Sequence, residues 1–245
     1  DTGKLVWIKN YAVPLKSNIQ IFNNKIYLID QENKIFCLNI EDGSPAWSIL
    51  TINSFIKSQQ LSSLAISKYG DLFALNSSAD IYKIDLNSGE TYWSYNTIGS
   101  LQPDATDFFV SSKIVLTDSE IIFSAGHSLY SYDLDTGEIN WEKNVTSVGT
   151  PIIDGSYLFV VTKNGYFVII DIKSGNIISS DNILKVLKKK KQNTRITGFV
   201  LGSGKIISAT LNGYLITSSA SSGKVQSFKK IGSEIISPPI IVDQK

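Results

Sequence analysis

Apolar residues along the chain come in short runs of four to six, each closed by Gly, Asn, Asp or Ser, and no long run repeats at the 3.6-residue helical period. Residues 149–180 show the pattern most clearly. A first short run at 149–153 meets the turn dipeptide Asp154-Gly155, which favours a tight hairpin because its centre calls for positive φ. Tyr157–Val161 follows, Asn164-Gly165 turns again, Tyr166–Asp171 returns, and Lys173-Ser174-Gly175 leads to an outer strand from Asn176 to Ile178. Four strands joined by three hairpins form one antiparallel meander. The inner strands are apolar on both faces, as expected for a small sheet sandwiched between two neighbours.

Residues 19–47 scan the same way, and the closing turn recurs six times. Its glycines, Gly3, Gly43, Gly89, Gly137, Gly175 and Gly223, stand 40, 46, 48, 38 and 48 residues apart. Self-similarity at that period marks a repeat architecture. The predicted fold is an all-β propeller of four-stranded antiparallel blades, with about five complete blades between Gly3 and Gly223. Trp7, Trp47, Trp93 and Trp141 close four of the six copies and are predicted to pack, largely buried, between consecutive blades. Residues 1–7 supply only a final strand and residues 237–243 only a first one. A propeller removes its sheet edges by closing on itself. Residues 1–245 are therefore expected to be one propeller domain and a piece of a longer propeller of seven or eight blades.

The turn motif Asp-x-x-Thr/Ser-Gly-x-x-x-Trp, most regular at Asp133, Thr136, Gly137 and Trp141, resembles the repeat of the pyrroloquinoline-quinone (PQQ)-type β-propellers. The order of the later segments, Asn164-Gly165-Tyr166, Asn212-Gly213-Tyr214 and Ser237-Pro238-Pro239, is most similar to the BamB family of outer-membrane barrel-assembly lipoproteins, whose propeller has eight blades. That resemblance implies a non-catalytic scaffold at the periplasmic face of the outer membrane. Its partner would be the barrel-assembly machinery, and it would meet the membrane only through a lipid anchor outside this chain. In that family a Leu-x-Leu-Arg loop and a neighbouring acidic loop engage the partner. The matching positions here are Phe55, Ile56 and Lys57, followed by Asp104 and Asp107. Lys57 lacks the bidentate fork of an arginine. The alternative readings within the same repeat class are a fragment of a PQQ-dependent dehydrogenase and a propeller sensor or ligand-binding domain.

Composition narrows these readings. A net charge of +1 excludes a global basic field for nucleic acid. Cys37 is the one cysteine, so these residues cannot supply the vicinal disulfide common in quinoprotein dehydrogenases, and its alternating strand predicts a buried core position. His127 is the one histidine and sits in a hairpin turn, a poor position for a general base or a metal ligand. No catalytic residue, cofactor or metal is expected. Asn76-Ser77-Ser78 and Asn144-Val145-Thr146 match the glycosylation pattern as polar hairpins do by chance. A basic insert carries Lys185, Lys188, Lys189, Lys190, Lys191 and Arg195, which is either a solvated connection or a surface for anionic lipid.

Overall fold

A computed structural model describes residues 2–52, 62–97, 111–188 and 193–242. Twenty strands lie among the described residues, in five four-stranded antiparallel sheets whose sequence neighbours pair. The first sheet holds β1 (Gln20–Phe22), β2 (Lys25–Ile29), β3 (Lys34–Asn39) and β4 (Pro45–Leu50). The second holds β5 (Ser63–Ile66), β6 (Asp71–Leu75), β7 (Asp80–Asp85) and β8 (Thr91–Asn96). The third holds β9 (Val115–Leu116), β10 (Glu120–Ala125), β11 (Ser128–Asp133) and β12 (Ile139–Lys143). The fourth holds β13 (Ile152–Asp154), β14 (Tyr157–Val161), β15 (Tyr166–Asp171) and β16 (Ile177–Asn182). The fifth holds β17 (Ile196–Gly202), β18 (Lys205–Thr210), β19 (Tyr214–Ser219) and β20 (Val225–Lys230). These are the blades of an all-β propeller.

The chain forms two compact units. In the first, Asp1–Ile121 with Tyr132–Ile139, the core joins Tyr27, Ile29, Ile35 and Cys37 of the first sheet to Leu64, Leu72, Tyr82 and Ile84 of the second. In the second, Ile122–Ser131 with Asn140–Lys245, Phe159, Val161, Phe167 and Ile169 meet Ile206, Tyr214 and Ile216. The middle strands are buried on both faces, so their apolar runs are continuous rather than alternating.

The repeated turn has a simple physical basis. Asp85 Oδ1 accepts the N–H groups of Asn87 (2.9 Å) and Ser88 (2.7 Å) and the Ser88 hydroxyl (2.9 Å). Asp133 binds Asp135 and Thr136 in the same way, and Asp171 binds Ser174. The N–H of Gly89, Gly137 and Gly175 returns to the carbonyl of that Asp, and each glycine has φ near +70° (76°, 71° and 67°), where a side chain is strained. Each glycine also receives an indole from the preceding sheet. A Cβ on Gly89 would lie 2.8 Å from the Trp47 ring, on Gly137 2.8 Å from Trp93, and on Gly175 2.6 Å from Trp141. The indole N–H groups donate to carbonyls of the receiving turns: Trp7 to Ile40 (2.8 Å), Trp47 to Leu86 (3.0 Å), Trp93 to Asp135 (3.1 Å) and Trp141 to Ile172 (2.8 Å).

Several details differ from the sequence reading. The four tryptophans are equivalent, but Trp141 alone is buried, at 7% exposure; Trp7, Trp47 and Trp93 are half-buried. The outer strands β4 and β16 run to six residues each. In the β13–β14 hairpin, Asp154 pairs with Tyr157, so the turn is Gly155-Ser156 with positive φ at Gly155 alone. Residues 2–9 and 237–242 form no strand, since no described neighbour completes a ladder with them. The basic insert opens as a short 3₁₀ helix, Ile183–Val186, capped by the Asn182 side chain, and Ile183, Leu184 and Leu187 enter the core while Lys185 and Lys188 stay exposed.

Two predictions follow from the turn. Gly175→Ala places a methyl in the Trp141 ring at positive φ and is expected to cost about 2–5 kcal/mol in denaturant melts. Gly155→Ala, with nothing within 4 Å of the added carbon, is expected to cost only about 1–2 kcal/mol. Equal losses would remove the indole from the explanation. The second concerns acid. The Ser88 N–H and the Tyr92 hydroxyl hold Asp85 down at about 2, and the turn bonds hold Asp133 and Asp171 below the ordinary carboxylate range. Depressed carboxylates stabilise above about pH 3.9 and lose that contribution as pH falls through the folded value. Asp85→Asn is therefore expected to lose less stability than the parent between pH 4 and pH 2 in acid titrations followed by circular dichroism.

Candidate functional site

Phe55, Ile56, Lys57, Asp104 and Asp107 lie outside the described residues. They belong to the β4–β5 and β8–β9 connections, whose first residues are described. The first leaves from the β2–β3 turn at Asn33 and also contacts the β6–β7 hairpin turn, and the second leaves from the β6–β7 turn itself. Beyond β4, the Thr51 hydroxyl donates to the Asn33 carbonyl (2.7 Å). The Ile52 carbonyl then accepts the amides of Asn33 (3.0 Å) and Asn76 (3.4 Å), and its N–H donates to the Tyr82 hydroxyl (3.3 Å). Beyond β8, the Thr97 N–H (3.1 Å) and hydroxyl (2.7 Å) both donate to the Ala79 carbonyl. The Asn96 amide donates to Asp80 Oδ1 (2.6 Å), and Asp80 Oδ2 accepts the Asn76 amide (3.1 Å). Asn33 Oδ1 accepts the N–H and hydroxyl of Ser77, tying the first sheet to the same turn.

That turn departs from its counterparts in the chain. Between the second and third strands of four sheets the hairpin has the same five-residue turn, whose fourth residue is Asn33, Ala79, Gly165 or Gly213, all at positive φ; the β5–β6 hairpin repeats it with Gly70. Asn and Gly tolerate that conformation, whereas Ala79, at φ 61°, carries a strain of about 1–2 kcal/mol. The fifth residue is Lys34, Asp80, Tyr166 or Tyr214. Among the four turns between second and third strands Asp80 is thus the one carboxylate, and it is 2% exposed; Asp71, at the same place in the β5–β6 turn, is only partly buried. Burial pushes its carboxyl above the ordinary range, and the amides of Asn96 and Asn76 oppose the shift. The sequence reading missed this cluster. The usable signal was the comparison of equivalent turn positions across repeats, where Ala79-Asp80 is the odd pair.

Comparison with known proteins defines the relationship. The family model described as outer membrane protein assembly factor BamB matches residues 1–180. The chain belongs to the BamB family. It is 19% identical to the outer membrane protein assembly factor BamB of Moranella endobia and 21% identical to that of Escherichia coli K12, covering 100% of this chain and 75% and 74% of those proteins. The crystal structure of BamB from Moraxella catarrhalis superposes with a TM-score of 0.76 at 16% identity, over 99% of this chain and 71% of that one. Quinohemoprotein alcohol dehydrogenase from Comamonas testosteroni shares the fold at a TM-score of 0.67 and 13% identity, over 90% of this chain and 43% of that one.

The chemistry-bearing side chains of this BamB-family chain are spent inside the sheets. Cys37 is buried in β3 and burial pushes its thiol up, while the neighbouring Tyr27 phenol, raised mainly by burial, donates to the Leu86 carbonyl (3.3 Å). Lys83 in β7 lies between Asp71 and Asp135, each at 3.3 Å, with its ammonium 6.0 Å from the Phe73 ring centre and 5.9 Å from that of Tyr92. Among the described residues no three His, Cys, Asp or Glu side chains converge as a metal would require.

Proposed function

We propose that this BamB-family propeller is a non-catalytic protein-binding scaffold that assists outer-membrane β-barrel assembly at the periplasmic face of the outer membrane. The observation that carries the reading is the family match over residues 1–180, which spans both connections that hold the candidate residues. Phe55, Ile56 and Lys57, with Asp104 and Asp107, are the proposed contacts, an apolar anchor flanked by charge. The proposed partner is the barrel-assembly machinery, met through its periplasmic domains. We further propose that the chain is part of a longer propeller. Trp7 docks as the other indoles do, while Leu5, Val6 and Ile8 around it are 78%, 80% and 77% exposed, in the manner of an outer strand awaiting the rest of its blade.

The binding test pairs Lys57→Glu with Phe55→Ala. Affinity for the periplasmic domains of the barrel-assembly protein is expected to fall by at least about 2 kcal/mol in calorimetric titration, with an unchanged melting transition. Unaltered binding refutes the surface. Incubation of the chain with calcium and PQQ is expected to give no dye-linked alcohol oxidation, and turnover in that assay would favour the quinoprotein reading instead.

A further inference from the structure

We propose that the β6–β7 hairpin turn is a shared anchor that positions both partner-facing connections, and that Asp80 is its positioning residue. The use of those connections for partner binding rests on the function proposed above; the anchoring itself does not.

Three observations converge on this turn. The first is connectivity. The outgoing ends of two connections that begin 45 residues apart, at Ile52 and Thr97, bond to Asn76 and Ala79, three positions apart in one hairpin. Asn33 of the β2–β3 turn also holds the Ile52 end and accepts at its Oδ1 from Ser77, so a displacement of the β6–β7 turn reaches both ends, the first of them in part through Asn33.

The second is the chemistry of the pair that Asp80 serves. Two side-chain amides, Asn76 and Asn96, each point an N–H at it, one per carboxylate oxygen. An ionised carboxylate presents two acceptor oxygens and no donor, and so satisfies both amides at once. An Asn in its place could accept from one amide only, and would set its own NH₂ against the other. Asn76 in turn holds the turn closed by accepting the N–H groups of Ser78 and Asp80 at its oxygen while its NH₂ reaches both Asp80 and Ile52. Asn96 sits immediately before Thr97, so the Asp80–Asn96 bond fixes the residue from which the second connection departs.

The third is that the fold does not ask for these residues. The equivalent turns close with Gly165-Tyr166 and Gly213-Tyr214, without positive-φ strain and without a buried carboxylate. Backbone strain and a desolvated charge held together in one turn are the features that local function, rather than local stability, retains.

The test uses the full 245-residue chain and reads amide hydrogen exchange at Ile52 and Thr97, with Val160 and Ile169 of the fourth sheet as the reference. Asp80→Asn is expected to raise exchange at Ile52 and Thr97 by about tenfold or more through local opening and to leave Val160 and Ile169 unchanged. The double variant Asp80→Asn/Asn96→Asp restores a donor facing an acceptor at each contact and is expected to bring both amides back to within about twofold of the parent. Asn96→Ala, at an exposed position, removes the bonds to Asp80 Oδ1 and the Ser78 carbonyl and leaves the Asp80–Asn76 bond in place; it is expected to free Thr97 while Ile52 stays protected, and serves if Asp80→Asn does not fold. Unchanged exchange in the single variants overturns the anchor. So does a rise at Val160 and Ile169 equal to that at Thr97, or a double variant no better than Asp80→Asn. Affinity for the barrel-assembly periplasmic domains is measured on the same proteins and is expected to fall about tenfold in Asp80→Asn and to recover in the double variant. Exchange that responds while affinity does not upholds the anchor and overturns the partner reading.

Discussion

The structure depends on one contact, repeated: an indole laid against a glycine. The glycine is fixed twice over, by a positive φ that disfavours a side chain and by a ring that occupies the space a Cβ would take. The indole N–H then finds a carbonyl of the same turn, so the largest apolar side chain in each outer strand also satisfies its one polar atom. The Asp that precedes the glycine closes the turn against its own backbone, and a register shift at Cys37/Leu38, Lys83/Ile84 and Ile169/Ile170 bends the strand just before it. Spacing, turn chemistry and inter-sheet packing therefore form one constraint, which is why so diverged a chain still keeps it.

Against this regular frame, the second sheet carries the exceptional turn. Its β6–β7 turn replaces a glycine with Ala79 and an uncharged or solvated side chain with a buried Asp80. The function proposed for the connections between sheets would need them to leave at fixed angles. Beyond the ladder, the Thr51 and Thr97 backbone and hydroxyl groups bond to turn carbonyls, and side-chain amides add to that hold. The Asn33, Asn76 and Asn96 amides fill that need, each short enough to be rigid and each able to donate and accept.

Much of this was legible from the residues alone. β2 and β14 fall where the apolar runs placed them, because Asn23-Asn24 and Asn164-Gly165 are turn signals with a specific backbone meaning. The glycine and tryptophan positions were legible for the same reason, since each residue type answers a steric demand. The degree of tryptophan burial was not, because it depends on how far an outer strand stands from water. The loss of strand character at residues 2–9 depends on pairing partners, which no local pattern encodes. The Asp80 cluster was hidden for another reason: its members are spread from Asn33 to Asn96 and are individually unremarkable polar residues, informative only once aligned with the equivalent turns.

Gly223 repeats the turn but receives no indole. The outer strand before it, β16, carries Ser179 at the position where β4, β8 and β12 carry Trp, and the Ser179 hydroxyl is the nearest atom to an added Cβ. Between the fourth and fifth sheets, aliphatic side chains of the short 3₁₀ helix take over, with Leu184 lodged against Gly165 and Leu187 in the shared core. This joint thus adds a spliced-in segment to the direct contacts between the two sheets. Its grip belongs to the connecting peptide, so a protease nick or an altered length there would loosen two sheets at once, whereas the same injury beside a tryptophan joint would leave the indole still in place.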